Sequence, residues 1–221
     1  MLKDKITTAT RGRPSVPEEL LKEKIIQATV IVLLDQGYQA ATIDNIAKQA
    51  GVAKKTIYRF VENREALIEL VVLSWTDSFV PLFEQQATTA DEFFDLLASN
   101  LDAIAQKVLS KEAIGLFQLL QTEFNQRDIL LAKYQQSGIE RCRHLLQNWL
   151  LKHQQKQIIA EHDFAIVSDF ILSMAIAEPL RQMSLGLLNV NDLTPLKVRF
   201  AQVVRFCKPV LLSNNVLQSG S

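Results

Sequence analysis

Apolar residues recur every three or four positions along most of this chain, which is the spacing of amphipathic helices. No stretch shows the sustained two-residue alternation that is typical of a half-buried strand. Gly37 and Gly51 stand where two helices are expected to end. The pattern therefore predicts an all-α protein. Its helices are expected at residues 18–37, 42–51, 54–60, 64 to about 86, 90–108, 111–125, about 128–153, 163–187 and 194–212.

The composition is typical of a folded protein from a reducing compartment. Of the 221 residues, 48% are hydrophobic and 22% are charged, which suits a chain with a core and argues against a disordered one. The longest uninterrupted aliphatic run, residues 30–34, is far shorter than the ~20 residues of a membrane span. Residues 1–10 lack the apolar centre of a signal peptide. Cys142 and Cys207 are too few for a disulfide framework. We therefore expect a cytoplasmic protein.

Charge is distributed unevenly, although the formal net charge is zero. Residues 1–64 carry eleven basic and seven acidic side chains, a net charge of +4. Residues 65–221 carry thirteen basic and seventeen acidic side chains, a net charge of −4. A locally basic N-terminal third indicates a module that meets phosphate groups.

A helix-turn-helix pattern lies between Ile43 and Phe60. Two short helices are joined by a turn that contains Gly51, where we expect a positive φ. The small side chain of Ala47 allows the two helices to approach closely. The second helix exposes side chains that suit phosphates and base edges in a major groove. These side chains are Lys54, Lys55, Thr56, Tyr58 and Arg59.

The run from Leu20 to Leu73 resembles the DNA-binding domain of the TetR family of bacterial repressors. The resemblance rests on the end of the first helix at Gly37-Tyr38 and on three motifs further along the chain. The stretch from Phe170 to Leu188 is similar to the C-terminal region of the AefR-like branch of that family. The three motifs are Thr42-Ile-Asp-Asn-Ile-Ala, Gly51-Val-Ala-Lys-Lys-Thr-Ile-Tyr-Arg-Phe60 and Asn63-Arg-Glu-Ala-Leu67.

The resemblance implies a role in DNA binding for each matching position. Thr42 would touch a phosphate from the N-terminus of its helix. The second helix would lie at the groove, with Tyr58 and Arg64 near phosphates. The implied DNA-binding set is Thr42, Ala53, Lys54, Lys55, Thr56, Tyr58, Arg59 and Arg64.

Two positions depart from the family pattern. Ala53 stands where Ser or Thr commonly caps the recognition helix, and Glu62 stands where Lys is frequent. Both changes are expected to weaken DNA binding. Lys55 stands where the family often has Gly or Ala, and it either compensates for this loss or contacts a base.

The resemblance also divides the chain into regions. Residues 1–17 are expected to form a flexible basic arm, with Arg11 and Arg13 placed to enter a minor groove. Residues 18–65 form the expected DNA-binding domain, followed by a linker helix that runs to about residue 86. Residues 66–212 form the expected ligand-binding and dimerisation domain, and residues 213–221 form a tail.

The larger domain is expected to hold a pocket with apolar walls and a few polar groups. Because the candidate wall residues are uncharged, we expect a lipophilic ligand that is neutral or weakly cationic. The alternative is that most of the aromatic candidates are ordinary core residues. The candidates are Phe79, Phe83, Leu97, Leu101, Phe117, Gln121, Phe124, Trp149 and Met174.

The last two long helices are too apolar to lie at a free surface. The helix predicted at 163–187 is apolar on two faces, so it is expected to pack on two sides, one of them against a second copy of the chain. Pro179 is expected to kink this helix. The expected dimer contacts are Phe170, Ile171, Met174, Phe200, Val203, Val204 and Cys207.

Enzymatic chemistry is not expected, and neither is a metal or a cofactor. The chain has no Gly-rich phosphate loop, nucleophile elbow or His-Glu-x-x-His motif. The sequence therefore predicts a homodimeric, sequence-specific transcriptional regulator, a repressor that a lipophilic small molecule releases from a pseudo-palindromic DNA operator. The alternative is a helical small-molecule-binding or interaction protein with degenerate DNA binding.

Overall fold

The computed structural model describes residues 17–122, 124–192 and 194–213, and every regular element in this part of the chain is helical. The basic arm at residues 1–16 and the tail beyond residue 213 lie outside the described residues. The α-helices are α1 Glu18–Ala40, α2 Ile43–Ala50, α3 Lys54–Ile57, α4 Arg64–Asp77, α5 Ala90–Val108, α6 Lys111–Leu120, α7 Arg127–Tyr134, α8 Arg141–Gln155, α9 Phe164–Leu172, α10 Glu178–Ser184 and α11 Thr194–Leu212.

Two glycines adopt a positive φ where the sequence predicts the ends of two helices, although only Gly51 ends a helix. The regular geometry of α1 is interrupted at Gly37, whose φ is +79°. Gly51 ends α2 in the left-handed conformation, with a φ of +64°. The positive φ at Gly51 is confirmed, and it lets the chain reverse into α3 within three residues.

The short helices α2 and α3 are held by a cap and by a few buried side chains. The Thr42 Oγ1 accepts a hydrogen bond from the Asn45 N–H at 3.2 Å, so Thr42 is the N-cap of α2. Ile46 and Ile57 are completely buried between the helices. A four-residue helix such as α3 does not hold its shape alone, so this packing is what fixes its direction.

Helix α4 is shorter than predicted. It begins after Asn63, whose Oδ1 accepts a hydrogen bond from the Ala66 N–H at 2.8 Å, but it ends at Asp77. A 3-10 helix then covers Val80–Glu84. The prediction of one helix to about residue 86 is therefore wrong. Pro81 opens the 3-10 helix, and its missing N–H and fixed φ disfavour continuation of an α-helix through this point.

The other helix boundaries agree with the sequence to different degrees. The predictions at residues 90–108 and 194–212 are confirmed by α5 and α11. Helix α6 ends at Leu120, five residues earlier than predicted. The segments predicted at about 128–153 and at 163–187 each contain a π-helical turn, Gln135–Glu140 between α7 and α8 and Ser173–Ala177 between α9 and α10.

The second π-helical turn accommodates Pro179, where the sequence predicts a kink. Proline lacks an N–H donor, and in a regular helix its ring crowds the carbonyl of the residue four positions earlier, here Ala175. The wider turn between α9 and α10 includes that residue. Through this turn the buried positions recur every four residues, at Ile171, Ala175, Pro179 and Met183.

The buried apolar residues form two clusters. The smaller cluster joins α1, α2 and α3 to Leu67 and Ile68 of α4, and it also includes Leu116 and Leu130 from α6 and α7. The larger cluster is built from the 3-10 helix, α5, α8, α9 and α11, with Trp149 at its centre. The smaller cluster therefore reaches beyond residue 65, where the sequence places the end of the DNA-binding domain.

One long apolar segment contains no long aliphatic run, because polar residues interrupt it. Arg64–Glu84 is long and apolar enough to cross a membrane by length and composition, with a mean hydropathy of 1.5 in its most apolar window. Its α-helical part has 14 residues, about 21 Å against a hydrocarbon core of about 30 Å. In this fold the segment connects the two clusters, since Leu67 belongs to the smaller one and Phe79 to the larger.

The larger cluster encloses one histidine that is fully buried. The His153 Nε2 accepts a hydrogen bond from the Ala87 N–H at 2.9 Å, so the ring proton lies on Nδ1, 2.8 Å from the Trp149 carbonyl oxygen. Burial lowers the pKa of His153, because the charged imidazolium is poorly solvated there. The neutral ring is therefore part of the folded state.

We expect the free energy of unfolding to fall as the pH drops below about 6.5, because the unfolded chain then binds a proton at His153 that the folded chain does not. Above that pH the contribution of His153 is complete. Urea denaturation between about pH 7.5 and pH 5.5 measures the slope. His153→Gln should flatten it, whereas His144→Gln, at an exposed position of the same helix, should not. An unchanged slope in His153→Gln would contradict the assignment.

Candidate DNA-binding surface and ligand cavity

Helix α3 buries one residue and exposes its neighbours. Ile57 is completely buried, and this orientation leaves Lys55, Tyr58 and Arg59 exposed. The Tyr58 side chain is 56% exposed although it is a large aromatic group. Thr56 is half-buried. An exposed surface with two cations, a phenol and a hydroxyl has the donors that phosphates and base edges accept.

Lys54 is held by an acidic residue of the preceding helix. Its Nζ lies 2.6 Å from the Asp44 Oδ2, and both side chains are largely exposed. The Arg59 guanidinium lies more loosely, 3.6 Å from the Glu18 carboxylate. Asp44 stands ten positions before Lys54 and contacts it only because α2 and α3 pack at an angle. Lys54 therefore contributes less free positive charge than Lys55.

Arg64 is turned towards α1. Its guanidinium carbon lies 4.0 Å from the centre of the Tyr38 ring, and its Nη2 donates a hydrogen bond to the Tyr38 hydroxyl at 2.8 Å. The Tyr38 hydroxyl in turn donates to the Glu65 Oε1 at 2.9 Å. Arg64 thus joins α1 to α4, and the phosphate contact that the family resemblance implies for it stays a prediction.

In the cluster around Tyr38, the pKa of Tyr38 is raised and the pKa of Glu65 is lowered. Burial is the largest cause of the raised pKa of Tyr38, and the hydrogen bond to Glu65 raises this pKa further. Burial also opposes ionisation of Glu65, but hydrogen bonds from its own backbone, from Tyr38 and from Arg64 outweigh it and lower the pKa of this carboxyl. The three side chains therefore form a charged, well-paired joint at neutral pH.

The remaining predicted DNA contacts lie at the surface. Thr42 is exposed, and because its oxygen accepts the α2 cap bond, its hydroxyl proton stays available for donation. Ala53 is exposed at the N-cap of α3 and supplies no side-chain cap, as its methyl group requires. Glu62 is exposed two residues before α4. These positions remain predictions for DNA contact.

A cavity of about 220 Å³ lies beside α4. Its walls come from α4, the end of α5, α6, the two π-helical turns and the helices that flank them. Its lining is mostly apolar and includes Val72, Trp75, Thr76, Phe79, Ile104, Val108, Phe117, Tyr134, Ile139, Cys142, Leu172, Ile176 and Leu180. A space of this size exceeds the ~150 Å³ of an engineered cavity that takes benzene. It is smaller than the ~300 Å³ at the low end of pockets for drug-sized ligands.

The structure places only two of the predicted pocket residues on this wall, Phe79 and Phe117. The other seven lie in three different places. Phe83, Leu97, Leu101 and Trp149 are packed in the larger cluster, as the core alternative expects. Phe124 packs against Tyr38 at 4.4 Å between ring centres. Gln121 and Met174 line two neighbouring grooves.

The cavity wall carries an ion pair, so the expectation of uncharged walls is wrong. The Arg143 Nη2 lies 2.5 Å from the Asp169 Oδ1, and both residues line the cavity. The sequence held a signal for Asp169, which shares a helical stripe with Leu172 and Ile176 and is the charged member of that stripe. Arg143 stands four residues after Ile139, so it is likewise a charged residue on a helical stripe that contains an apolar one.

A groove of about 310 Å³ adjoins the cavity. The two spaces share four lining side chains, Phe117, Tyr134, Ile139 and Arg143. The other lining residues of the groove are Leu120, Gln121, Arg127, Leu131 and Gln135. The groove therefore combines apolar side chains with two amides and two guanidinium groups.

An exposed apolar surface lies along α9 and α11. Phe170 is 60% exposed and Phe206 is 66% exposed, and both line a groove of about 300 Å³ between these helices. Ile166 and Val198 are exposed as well. The predicted dimer residues divide between two sides of these helices. Phe170 faces solvent, Met174 and Val204 are half-buried, and Ile171, Phe200, Val203 and Cys207 are buried in the chain's own core.

The cysteines and acidic groups in the described part of the chain form neither a reactive thiolate nor a metal-binding cluster. Burial raises the pKa of Cys142 to about 12 and that of Cys207 to about 11, so both thiols stay protonated at neutral pH. No group of three or more His, Cys, Asp or Glu side chains is placed to hold a metal among the described residues.

Comparison with known proteins gives the N-terminal region a family. Residues 25–71 match the model of the bacterial regulatory proteins of the tetR family. The fatty acid metabolism regulator protein of Bacillus subtilis is 30% identical over 122 residues, 53% of this chain and 54% of the relative. The HTH-type transcriptional regulator YdeS of the same organism is 29% identical over 110 residues, 50% of this chain and 52% of the relative. The chain thus spans about half the length of these two relatives.

Solved structures share the whole fold at low sequence identity. A TetR-family regulator from Mesorhizobium loti has a TM-score of 0.69 and 19% identity, covering 89% of this chain and 98% of the other. FadR from Bacillus subtilis, solved in complex with stearoyl-CoA, has a TM-score of 0.61 and 22% identity, covering 88% of this chain and 99% of the other. These relatives are transcriptional regulators and not enzymes. Residues 25–71 are thus similar to the DNA-binding region of the tetR family, and the chain as a whole shares the fold of these regulators.

Proposed function

We propose that this chain is a homodimeric transcriptional repressor that binds a pseudo-palindromic DNA operator and releases it when a lipophilic small molecule enters the cavity. The observation that carries the proposal is the position of α4. Its first half packs in the cluster of the helix-turn-helix through Leu67 and Ile68, and its second half forms cavity wall through Trp75 and Thr76. The division into a domain at 18–65 and one at 66–212 is part of the proposal, with α4 shared by both.

DNA recognition is assigned to the exposed side of α3. Lys55 of α3 is exposed, as are Tyr58 and Arg59 directly after the helix, and the burial of Ile57 fixes their positions relative to the rest of the domain. Lysine and arginine neutralise phosphates and release counterions, which makes binding steeply dependent on salt. A helix-turn-helix dimer places two such surfaces over half-sites one or more helical turns apart.

Release by a ligand requires that the ligand bind the DNA-incompetent arrangement more tightly than the competent one. The contacts for such a preference run from the cavity wall along α4. The Thr76 hydroxyl lies 3.0 Å from the Ser137 carbonyl oxygen in the first π-helical turn, and the Ser137 hydroxyl lies 2.9 Å from the Glu69 carboxylate. A ligand that displaces this turn therefore displaces α4. One neighbour in fold was solved with stearoyl-CoA, which agrees with a lipophilic ligand.

The exposed surface on α9 and α11 is assigned to a second copy of the chain. Phe170 and Phe206 are large aromatic groups that the monomer leaves in water, and they flank a groove that a symmetric partner fills with the same residues. Two α9–α11 pairs then form a four-helix interface. Among the predicted contacts, we assign Phe170 and Met174 to this interface. The buried residues Ile171, Phe200, Val203 and Cys207 pack beneath it in the core of the same chain.

The alternative is a helical ligand-binding protein whose DNA binding has degenerated. Specific observations favour it: Ala53 gives α3 no cap, Glu62 adds a negative charge, and Asp44 neutralises Lys54. The first experiment below separates the two functions.

Tyr58→Ala and Lys55→Ala are each expected to cost about 1–3 kcal/mol of operator binding, because each removes a donor from the exposed side of α3. The operator is first selected from a random pool of duplexes, and affinities are then measured by fluorescence anisotropy at two salt concentrations. Lys55→Ala should also lower the salt dependence by about one phosphate contact. Lys107→Ala, which removes an exposed charge from α5, is the matched control. Failure to enrich any pseudo-palindrome would favour the alternative function.

Asp44→Asn is expected to strengthen operator binding, since it frees Lys54 from its partner 2.6 Å away and removes a negative charge beside the phosphates. The gain should be about three- to tenfold at low salt and should shrink as salt screens the charges. Asp95→Asn makes the same change of net charge on α5 and should have no effect. Equal affinities for wild type and Asp44→Asn would mean that Lys54 makes no contact with DNA.

Phe170→Glu and Phe206→Glu are expected to convert the protein to a monomer, because each buries a carboxylate in an apolar interface. Sedimentation velocity at micromolar concentration measures the state. Ile129→Glu, at a 51%-exposed apolar position on α7, is the control and should leave the dimer intact. A dimer that persists in both phenylalanine variants would place the interface elsewhere on the chain.

A further inference from the structure

The groove beside the cavity has a positive charge at its edge. Arg127 and Arg143 both line it, and no acidic side chain is among the described residues that do so. The acidic neighbour of Arg127 is Asp128, whose carboxylate lies 3.6 Å away and is 95% exposed, so water screens it. The acidic partner of Arg143 is Asp169, which lines the cavity and not the groove.

Both arginines keep unused donors. A guanidinium has five N–H groups, and the bond of Arg143 to Asp169 is made through Nη2 alone. The Nε of Arg143 is buried and has no hydrogen-bond partner among the described residues, which is costly for a charged group. Arg127 uses its Nε for the Leu120 carbonyl oxygen at 2.8 Å, which fixes the side chain at the groove.

The space behind these arginines is mostly apolar, apart from the ion pair of Arg143 with Asp169. The cavity shares Phe117, Tyr134 and Ile139 with the groove and continues past Arg143 to Trp75 and Leu180. A molecule that occupies both spaces therefore meets apolar side chains at one end and two cations at the other. An organic cation would place its charge against two guanidinium groups, whereas an anion would receive charge-assisted hydrogen bonds from both.

We propose that the effector of this protein is an amphipathic organic anion, with its apolar part in the cavity and its anionic oxygen atoms in the groove between Arg127 and Arg143. The inference rests on the proposed ligand site and replaces the expectation of a neutral or weakly cationic ligand. Asp169 competes with the ligand for Arg143 and so limits the affinity.

The probes share one short chain and differ in the head group. Octanoate carries a carboxylate, octanol is neutral and octyltrimethylammonium is cationic, and their chain suits a cavity of about 220 Å³. Isothermal titration of the protein measures the three dissociation constants. Octanoate is expected to bind about tenfold more tightly than either of the others, as two charge-assisted hydrogen bonds imply. This preference should decrease as salt is added.

Variants assign the preference to the two arginines. R143Q and R127Q should each weaken octanoate binding about tenfold and leave octanol binding unchanged. D169N should strengthen octanoate binding, because it frees Arg143 and removes a nearby negative charge. This opposite sign excludes general damage to the fold as the cause. R141Q is the matched control: Arg141 pairs with Asp77 at 2.5 Å, lines neither space and should behave like wild type.

Three results would overturn the inference: octanoate binding no tighter than octyltrimethylammonium or octanol, octanoate binding unaffected in both R143Q and R127Q, or no binding of octanoate at its solubility limit. Each leaves the proposed function testable by itself, because operator selection is carried out on the protein without added ligand. Enrichment of a pseudo-palindrome together with any of these results would mean a DNA-binding repressor with a different class of effector.

Discussion

The structure depends on one constraint, that α4 is packed into two hydrophobic clusters at once. Leu67 and Ile68 are fixed among the helices of the N-terminal region, and the 3-10 helix that continues α4 inserts Phe79 into the larger cluster. Protein interiors are close-packed, so a helix held at both ends transmits a displacement instead of absorbing it. Any change in the shape of the cavity beside Trp75 therefore reaches the helix-turn-helix through α4.

Each of the two π-helical turns presents a carbonyl oxygen that accepts a hydrogen bond from a side chain of another helix. A π-helical turn frees a carbonyl group, which must find a donor when it is buried. The Ser137 carbonyl is met by the Thr76 hydroxyl of α4, and the Met174 carbonyl is met by the Arg199 guanidinium of α11 at 2.5 Å. The first turn is thereby tied to α4, which shares the smaller cluster with the helix-turn-helix, and the second to α11, which is proposed to form the dimer. Hydrogen bonds therefore connect the first turn to α4 and the second turn to α11, in addition to packing.

Much of the N-terminal region could be predicted because its signals are local. Thr42 caps α2 and Gly51 adopts the predicted positive φ, both for reasons confined to a few neighbouring residues. The positions of Lys54 and Arg64 could not be predicted in the same way. Each contacts a residue on another helix, Asp44 in one case and Tyr38 in the other, and those contacts exist only once the helices have packed. The predicted pocket failed for a related reason, since a helical stripe shows which residues face inward but not which face a cavity.

The sequence by itself determined the all-helical architecture, the helix-turn-helix and its resemblance to the TetR family, because helical periodicity, caps and glycine conformation depend on neighbouring residues. Only the tertiary structure decided which inward side chains line a cavity, that Arg143 and Asp169 meet on its wall, and that Phe170 faces solvent while Ile171 faces the core. The π-helical turns explain part of this difference. Each shifts the register of its helix, so every residue beyond the turn points in a direction that a uniform 3.6-residue period does not predict.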